Sequence, residues 1–331
     1  MNKIKIICTL GPSSLKKKII TQLKKEKVDL MRINLSHTNT KIIQKKINFL
    51  KRNNVNNICI DTEGAQIRTS YIKNEIFLKK NNTVKFLCSE NKSNEKTICV
   101  HPTFKFNLIK LNTTIDIGFS NLTLKVQKKS KDKKSLICKV TKPGFLGSNK
   151  GVHIDAKIDL PPLTKKDIYA LKLMKKNKIH TVAISFVNKS SDVSHVRKLI
   201  GKHSFLISKI ETKNAIKDLK NISKVSNALL IDRGDLSREI PIEDIPFAQE
   251  YILNHSLKYK TPAYVATNLL ETMIKENLPT RAESHDIYSS LKQGAKGMVL
   301  AAETAIGKDP LNCVRFLKKC IYSFKYKKKF I

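Results

Sequence analysis

Eight short apolar, β-rich runs recur along the chain, and a helical pattern follows each one. The runs are KIKIICTL (3–10), VDLMRINLS (28–36), NICIDTEG (57–64), TVAISFV (181–187), FLISKIE (205–211), NALLIDRGD (227–235), PAYVATNLL (262–270) and GMVLAAETA (297–305). Helical stretches fall near 14–26, 38–53, 167–177, 190–200, 213–221, 242–258, 281–292 and 310–323. Strands that alternate with helices pair in parallel through right-handed crossovers. Eight such units in roughly 250 residues predict an α/β fold, a closed (β/α)8 TIM barrel. An open doubly wound sheet would want G-x-G-x-x-G after the first strand, and CTLGPSS stands there instead. Capping signals support two helix starts: Thr164 with Asp167, and Thr280 with Glu283, each three residues apart.

Residues 71–157 interrupt the alternation. They hold TVKFLCS, TICVHP, TIDIGF, LTLKVQKK and SLICKV, short β-like runs joined by polar turns. This reads as a small all-β domain inserted after strand 3, between barrel segments 1–70 and 158–331. An insertion there sits at the barrel's C-terminal mouth and is placed to act as a lid. The tract KKSKDKK (128–134) within it reads as a solvated hairpin tip.

The 64 Lys and Arg against 27 Asp and Glu give a formal net charge of +37, which raises nucleic acid as a partner. The lysines are spread over the whole length instead of gathered in one stripe, and Asn and Ile are abundant beside them. A coding bias produces this composition without a polyanion partner, so no specific nucleic-acid partner is expected. Seven cysteines, an odd number with no C-x-x-C pair, argue against a zinc site or a disulfide framework. No apolar run reaches the roughly 18–20 residues needed to cross a bilayer, and the expectation is a cytoplasmic protein with no membrane partner. Only eight arginines occur, at 32, 52, 68, 197, 233, 238, 281 and 315. Against a lysine background, they mark places where a planar, bidentate donor is needed.

The active site of such a barrel lies where its strands end. The polar residues there are Arg32, Asn34, Ser36 and His37 on strand 2, Asp61, Thr62 and Glu63 with Arg68 just beyond on strand 3, and Ser185 on strand 4. Strand 5 gives Lys209 and Glu211, strand 6 Arg233 and Asp235, strand 7 Thr267 and Asn268, and strand 8 Glu303. Lys209 and Glu211 share a side of their strand because side chains alternate with period two. Glu211 and Asp235 come from neighbouring strand ends. Two carboxylates with no His or Cys partner are hard oxygen ligands that suit Mg²⁺. A lysine beside such an ion would stabilise a phosphoryl group or an enolate. A structural Lys–Glu ion pair is the plain alternative.

Eleven motifs then occur in a known order: TLGPSS, MRINLSH, IDTEGAQIRT, GSNKGV, DLPPLTKKD, SFV, SKIET, RGDLSREIP, ATNLLETM, PTRAE and ETAIGKDP. In these the chain resembles the pyruvate kinase family, from Lys5 to about Leu317. The resemblance implies phosphoryl transfer from phosphoenolpyruvate to ADP, the last step of glycolysis. By motif, Lys209 corresponds to the family's lysine at the transferring phosphoryl group and enolate. Glu211 and Asp235 correspond to its Mg²⁺ ligands, and Arg32 to its phosphate contact. Gly234 and Asp235, through backbone N–H groups, correspond with Thr267 to its substrate-carboxylate site, so that Lys209, Arg32 and Thr267 are the expected catalytic residues. Asn34, His37, Arg68 and Lys150 match the nucleotide side. Asn34, Ser36, Asp61 and Thr62 match the K⁺ ligands.

The chain departs from the family at several positions. Glu63 stands where a lysine is usual, Asn268 where glutamine is, and Ser237 where glycine is. Asp116-Ile117-Gly118 replaces D-D-G in the lid. Gln66 replaces an acid that bears on the monovalent cation, which leaves the K⁺ requirement open. Ala301 replaces a serine proposed to help protonate the enolate. The chain ends after the eighth barrel helix in the basic tail KYKKKFI, without the family's C-terminal regulatory domain. Control through that domain is therefore expected to be absent, and a homo-oligomer through barrel faces is the expected assembly. Three other readings stand beside the enzyme: a catalytically impaired barrel that binds a ligand or partner, a polyanion-binding protein, and a metal-enolate lyase.

Overall fold

The computed structural model describes residues 3–118, 121–132, 134–156, 158 and 160–326. The end of the basic tail (327–331), Phe119 of TIDIGF, Lys133 of the KKSKDKK tract and Asp159 of DLPPL lie outside the described residues. Two compact units result, one formed by 1–64 with 162–331 and the other by 65–161.

The first unit is a closed eight-stranded parallel barrel. Its strands, numbered 1 to 8 in chain order, are Lys5–Thr9, Leu30–Asn34, Ile58–Asp61, Thr181–Ile184, Phe205–Ile210, Ala228–Asp232, Ala263–Ala266 and Gly297–Leu300. Each pairs with the next, and strand 1 closes on strand 8 with Lys5 opposite Gly297. All eight match the apolar runs of the sequence. Both faces of each strand are buried, which explains why they read as near-continuous apolar runs instead of alternating ones. Alternation still decides the direction of each side chain. Ile7, Leu30, Cys59, Ala183, Ile207, Ala228, Leu230, Tyr264, Ala266 and Val299 fill the barrel interior. Their neighbours, such as Cys8, Met31, Ile60, Val182 and Leu229, face the surrounding helices. Tyr264 is the largest of the fully buried side chains, and a Cβ on Gly297 would sit 2.7 Å from its ring. Glycine there is what lets the ring fit.

Both expected capping boxes form. Thr164 caps Lys165–Lys176 with Asp167, and Thr280 caps Arg281–Lys292 with Glu283. Each such cap contributes about 0.5–2 kcal/mol. The helix expected at 213–221 is two, Lys213–Lys217 and Leu219–Val225, divided at Asp218, whose side chain accepts the Ser190 N–H at 2.7 Å.

The second unit has a seven-stranded sheet in the order 152–154, 114–117, 122–129, 135–142, 83–88, 97–101, 68–69, and a separate pair of strands at 76–78 and 144–146. Phe86, Ile98, Ile115, Leu124, Val126, Leu136 and Val140 belong to its apolar core. The five runs read from the sequence are its longer strands. The unit spans 65–161 instead of the expected 71–157. The reason is local: Arg68 and Thr69 pair with His101 and Val100, so the sheet begins before residue 71. Four strands of two or three residues are too short to show an alternating pattern. Among the described residues no helix is long and apolar enough to cross a membrane.

Candidate active site

The interior of the barrel changes character towards the strand ends. Continuing each strand by two residues from its apolar interior position gives Thr9 after Ile7, Arg32 after Leu30, Asp61 after Cys59, Lys209 after Ile207 and Asp232 after Leu230. These side chains form one hydrogen-bonded group. Arg32 donates from Nε (2.8 Å) and Nη2 to Asp61 Oδ2, and from Nη1 to Thr9 Oγ1 at 2.8 Å. A guanidinium has about five N–H donors, so these bonds leave two for a ligand. Lys209 Nζ lies 2.7 Å from Glu211 Oε1, 3.3 Å from Asp232 Oδ2 and 3.6 Å from Asp61 Oδ1, and donates to Ser185 Oγ at 3.1 Å.

Two cations therefore face three carboxylates, all buried. Taking an ion out of water costs several kcal/mol, which only close partners offset. Burial pulls the Lys209 ammonium towards neutrality, but Asp61, Glu211 and Asp232 outweigh it and raise its pKa. The three carboxylates around it thus favour the charged form of Lys209. Burial likewise works against Asp232, yet Lys209, Arg32 and the Thr267 hydroxyl hold its carboxyl down at about 2. Glu211 goes the other way. Burial first, then the nearby Asp235 and Asp232, push its carboxyl well above the usual range despite Lys209. A group crowded by like charge in this way is relieved by a further cation.

Carboxylate oxygens of Glu211, Asp232 and Asp235 all lie within 4.8 Å of one another. Glu211 Oε2 accepts the Phe186 N–H at 2.7 Å, while its buried Oε1 receives no aligned hydrogen bond. Three hard oxygen donors fit Mg²⁺. Asp235 lies in a helical turn, Arg233–Leu236, beyond the end of strand 6, and pairs with Arg238 at 3.1 Å. The residue at the strand end, and the one that reaches Lys209, is Asp232. Sequence reading missed it, although counting by two from Ala228 and Leu230 marks it as inward-facing.

Thr267 is held in an unusual state. Its φ is 73°, in the left-handed region, and that of Asn268 is 56°. For a β-branched residue this costs about 1–3 kcal/mol and persists only where neighbours enforce it. Arg233 is the enforcer. Its Nε and Nη2 donate to the Thr267 carbonyl at 3.2 and 2.5 Å, and its Nη1 donates to Asp286 at 2.8 Å. The hydroxyl of Thr267 then donates to Asp232 Oδ1 at 2.6 Å and accepts the Gly234 N–H at 3.3 Å. A Cβ on Gly234 would lie 3.1 Å from Thr267 Cγ2, tighter than ordinary contact. Arg32, Lys209, Asp232, Thr267, Gly234 and the acidic trio are thereby one connected site. Glu303, expected on strand 8, lies in the helical turn Ala302–Ala305 just after it and braces the site by accepting the N–H groups of Ala301 (2.7 Å) and Leu270 (3.1 Å).

The remaining predicted residues fall in four places. Asn34 accepts the Ser36 N–H at 2.9 Å, and the Thr62 hydroxyl accepts the Ser185 N–H at 2.9 Å, beside Asp61. His37 is exposed in the short turn 35–37. Arg68 and Lys150 lie in the other unit and come together there: Arg68 donates to the Asn149 carbonyl at 3.0 Å, and Thr69 N donates to the Lys150 carbonyl at 2.9 Å. Glu63 pairs with Lys166 at 2.6 Å, and the neighbouring Asp167 accepts the N–H groups of Glu63 and Gly64.

A family model for the pyruvate kinase barrel domain matches residues 1–314. The chain is 34% identical to a pyruvate kinase of Thermotoga maritima, the match covering 96% of this chain and 70% of that protein. It is 34% identical to a probable cytosolic pyruvate kinase isozyme of Arabidopsis thaliana, over 96% of this chain and 66% of the relative. It is 33% identical to a pyruvate kinase of Methanocaldococcus jannaschii, over 96% and 69%.

Proposed function

The chain belongs to the pyruvate kinase family, and on that premise we propose that it transfers the phosphoryl group of phosphoenolpyruvate to ADP, giving pyruvate and ATP. The observation that carries this reading is the buried Lys209, kept charged by Asp61, Glu211 and Asp232 with Arg32 on the same ring. Transfer breaks the bond between phosphorus and the enol oxygen and forms one to a terminal ADP oxygen, and the enolate then takes a proton. Little covalent help is needed, so positioning and charge decide the rate. Lys209 neutralises the charge that develops on the enolate and phosphoryl oxygens. Arg32 holds the phosphoryl group through its two remaining N–H donors. Thr267 and the N–H groups of Gly234 and Asp235 orient the substrate carboxylate. Glu211, Asp232 and Asp235 would hold Mg²⁺, which when bound supplies charge screening between the anionic reactants.

On the nucleotide side the reading assigns Asn34, His37, Arg68 and Lys150, and for K⁺ it assigns Asn34, Ser36, Asp61 and Thr62. A second reading, a barrel that binds these ligands without turnover, is favoured by Ala301, which supplies no hydroxyl at the end of strand 8.

An assay coupling pyruvate formation to NADH oxidation tests the reading, with phosphoenolpyruvate, ADP and Mg²⁺, in the presence and absence of K⁺. Turnover in the wild type and its loss in Lys209→Met support it. No pyruvate under either salt condition overturns it, and thermal stabilisation by phosphoenolpyruvate plus Mg²⁺ without turnover supports the second reading.

A further inference from the structure

We propose that the inserted unit carries a binding site of its own, for a small organic anion with a flat apolar body. This unit contains a cavity of about 420 Å³ lined by Cys88, Thr103, Phe104, Lys105, Phe106 and Lys134, with Asn107. That volume lies within the ~300–1,000 Å³ range of small-molecule sites. None of these residues takes part in the proposed phosphoryl transfer.

The cavity is preformed. Phe104 donates its N–H to Cys88 Sγ at 3.5 Å and accepts from the same thiol at 3.8 Å, which clips segment 103–107 to the strand at 83–88. Lys129 Nζ donates to the Asn107 carbonyl at 3.1 Å and secures the other end. Phe106 meets the Phe104 ring edge-on at 5.0 Å and the Phe86 ring at 6.3 Å, so the aromatic wall is continuous with the core. Phe104 and Phe106 are buried, whereas Thr103, Lys105 and Lys134 are exposed. The lining residues thus include two phenylalanines and two lysines and no acid. The neighbouring carboxylate, Asp132, is taken up by Ser130 Oγ (2.5 Å) and the Lys134 N–H (3.0 Å). Aromatic walls favour a flat apolar body through offset and edge contacts. The lysines favour a carboxylate or phosphate head through charge-assisted hydrogen bonds.

Titrating the full-length protein with 1-naphthoate, 1-naphthyl phosphate and neutral 1-naphthalenemethanol, followed by calorimetry, tests the site. The two anions are expected to bind at least about 10-fold more tightly than the neutral probe, and the tighter of the two identifies the head group. Lys105→Ala and Lys134→Ala should each weaken the anions by about 3–10-fold, and Thr103→Trp, which fills the cavity, should abolish binding. Lys79→Ala, a lysine outside the lining, should leave affinity unchanged. Saturating phosphoenolpyruvate with Mg²⁺ should not displace the probe. Equal affinity for the neutral probe, insensitivity to both lysine variants, displacement by phosphoenolpyruvate, or no saturable binding at millimolar probe each overturns the proposal.

Discussion

The two units of this protein bury different kinds of side chain. The barrel unit encloses Arg32, Asp61, Asp167, Lys209, Glu211, Asp232 and Glu303. Among the described residues of the inserted unit, the buried polar groups are hydroxyls alone: Thr69, Ser70, Ser93, Thr113 and Ser135. A hydroxyl is satisfied by one backbone partner, as Ser93 is by Cys99. A buried ion needs several, and the barrel supplies them from five different strand ends. The lesson is that the barrel accepts an electrostatic cost where chemistry would be done, while the β unit is stabilised by apolar packing.

The sharpest way to break that comparison is Lys209→Met. Removing the cation leaves Asp61, Glu211 and Asp232 facing one another around Arg32. The expected loss is at least about 10³-fold in kcat together with about 3–5 kcal/mol of stability, read from the coupled assay and from urea unfolding. A variant as stable as wild type would show that the ring is not under electrostatic tension. The matching change in the other unit is Phe86→Ala. It should cost about 3–5 kcal/mol through a cavity alone, lowering the melting temperature of that unit in calorimetry while the fluorescence-detected Mg²⁺ affinity of the barrel stays at the wild-type value.

Arg233→Ala should have a smaller effect. It frees Thr267 from its left-handed backbone, so KM for phosphoenolpyruvate should rise about 10-fold with a lesser change in KM for ADP. Equal changes in both would contradict a positioning role confined to the Thr267–Gly234 side. The smallest effect belongs to Glu283, a barrel carboxylate outside the ring. Burial is the largest single influence on its carboxyl and raises it, but the hydrogen bonds from the N–H groups and hydroxyls of Thr272 and Thr280 together prevail and lower it. Its stabilisation is therefore present above the ordinary carboxylate range and lost as pH falls through the lowered value. Glu283→Gln should cost about 1 kcal/mol at pH 7, with the gap to wild type closing towards pH 3 in urea unfolding. A gap that widened in acid would reverse the sign assigned here.

Much of the barrel was legible because its signal is repeated. Eight apolar runs, each long enough to cross the barrel, announce eight strands, and period two places Lys209 and Glu211 on one side. Asp232 was missed because the run ALLID flows directly into RGD, and the acid of the motif drew attention past the acid of the strand. Arg233 could be noticed as a rare arginine, but its task depends on the backbone angle of Thr267, which no pattern of residue types reveals. In the β unit the longer strands were visible and the two- and three-residue ones were not. The cavity beside Cys88 arises from how segment 103–107 folds back on a strand, a tertiary event with no counterpart in local sequence.

The pairing of strand 1 with strand 8 joins Lys5 to Gly297. During synthesis at ~5–20 residues per second, the first strand waits roughly 15–60 s for that partner. Throughout that interval the early strands present unpaired edges, the state most exposed to aggregation. The inserted unit has no such delay, since residues 65–161 are contiguous and emerge together. A growing chain would therefore carry one finished unit within an unfinished one. That exposure of strand edges should end abruptly, when the last barrel strand leaves the ribosome.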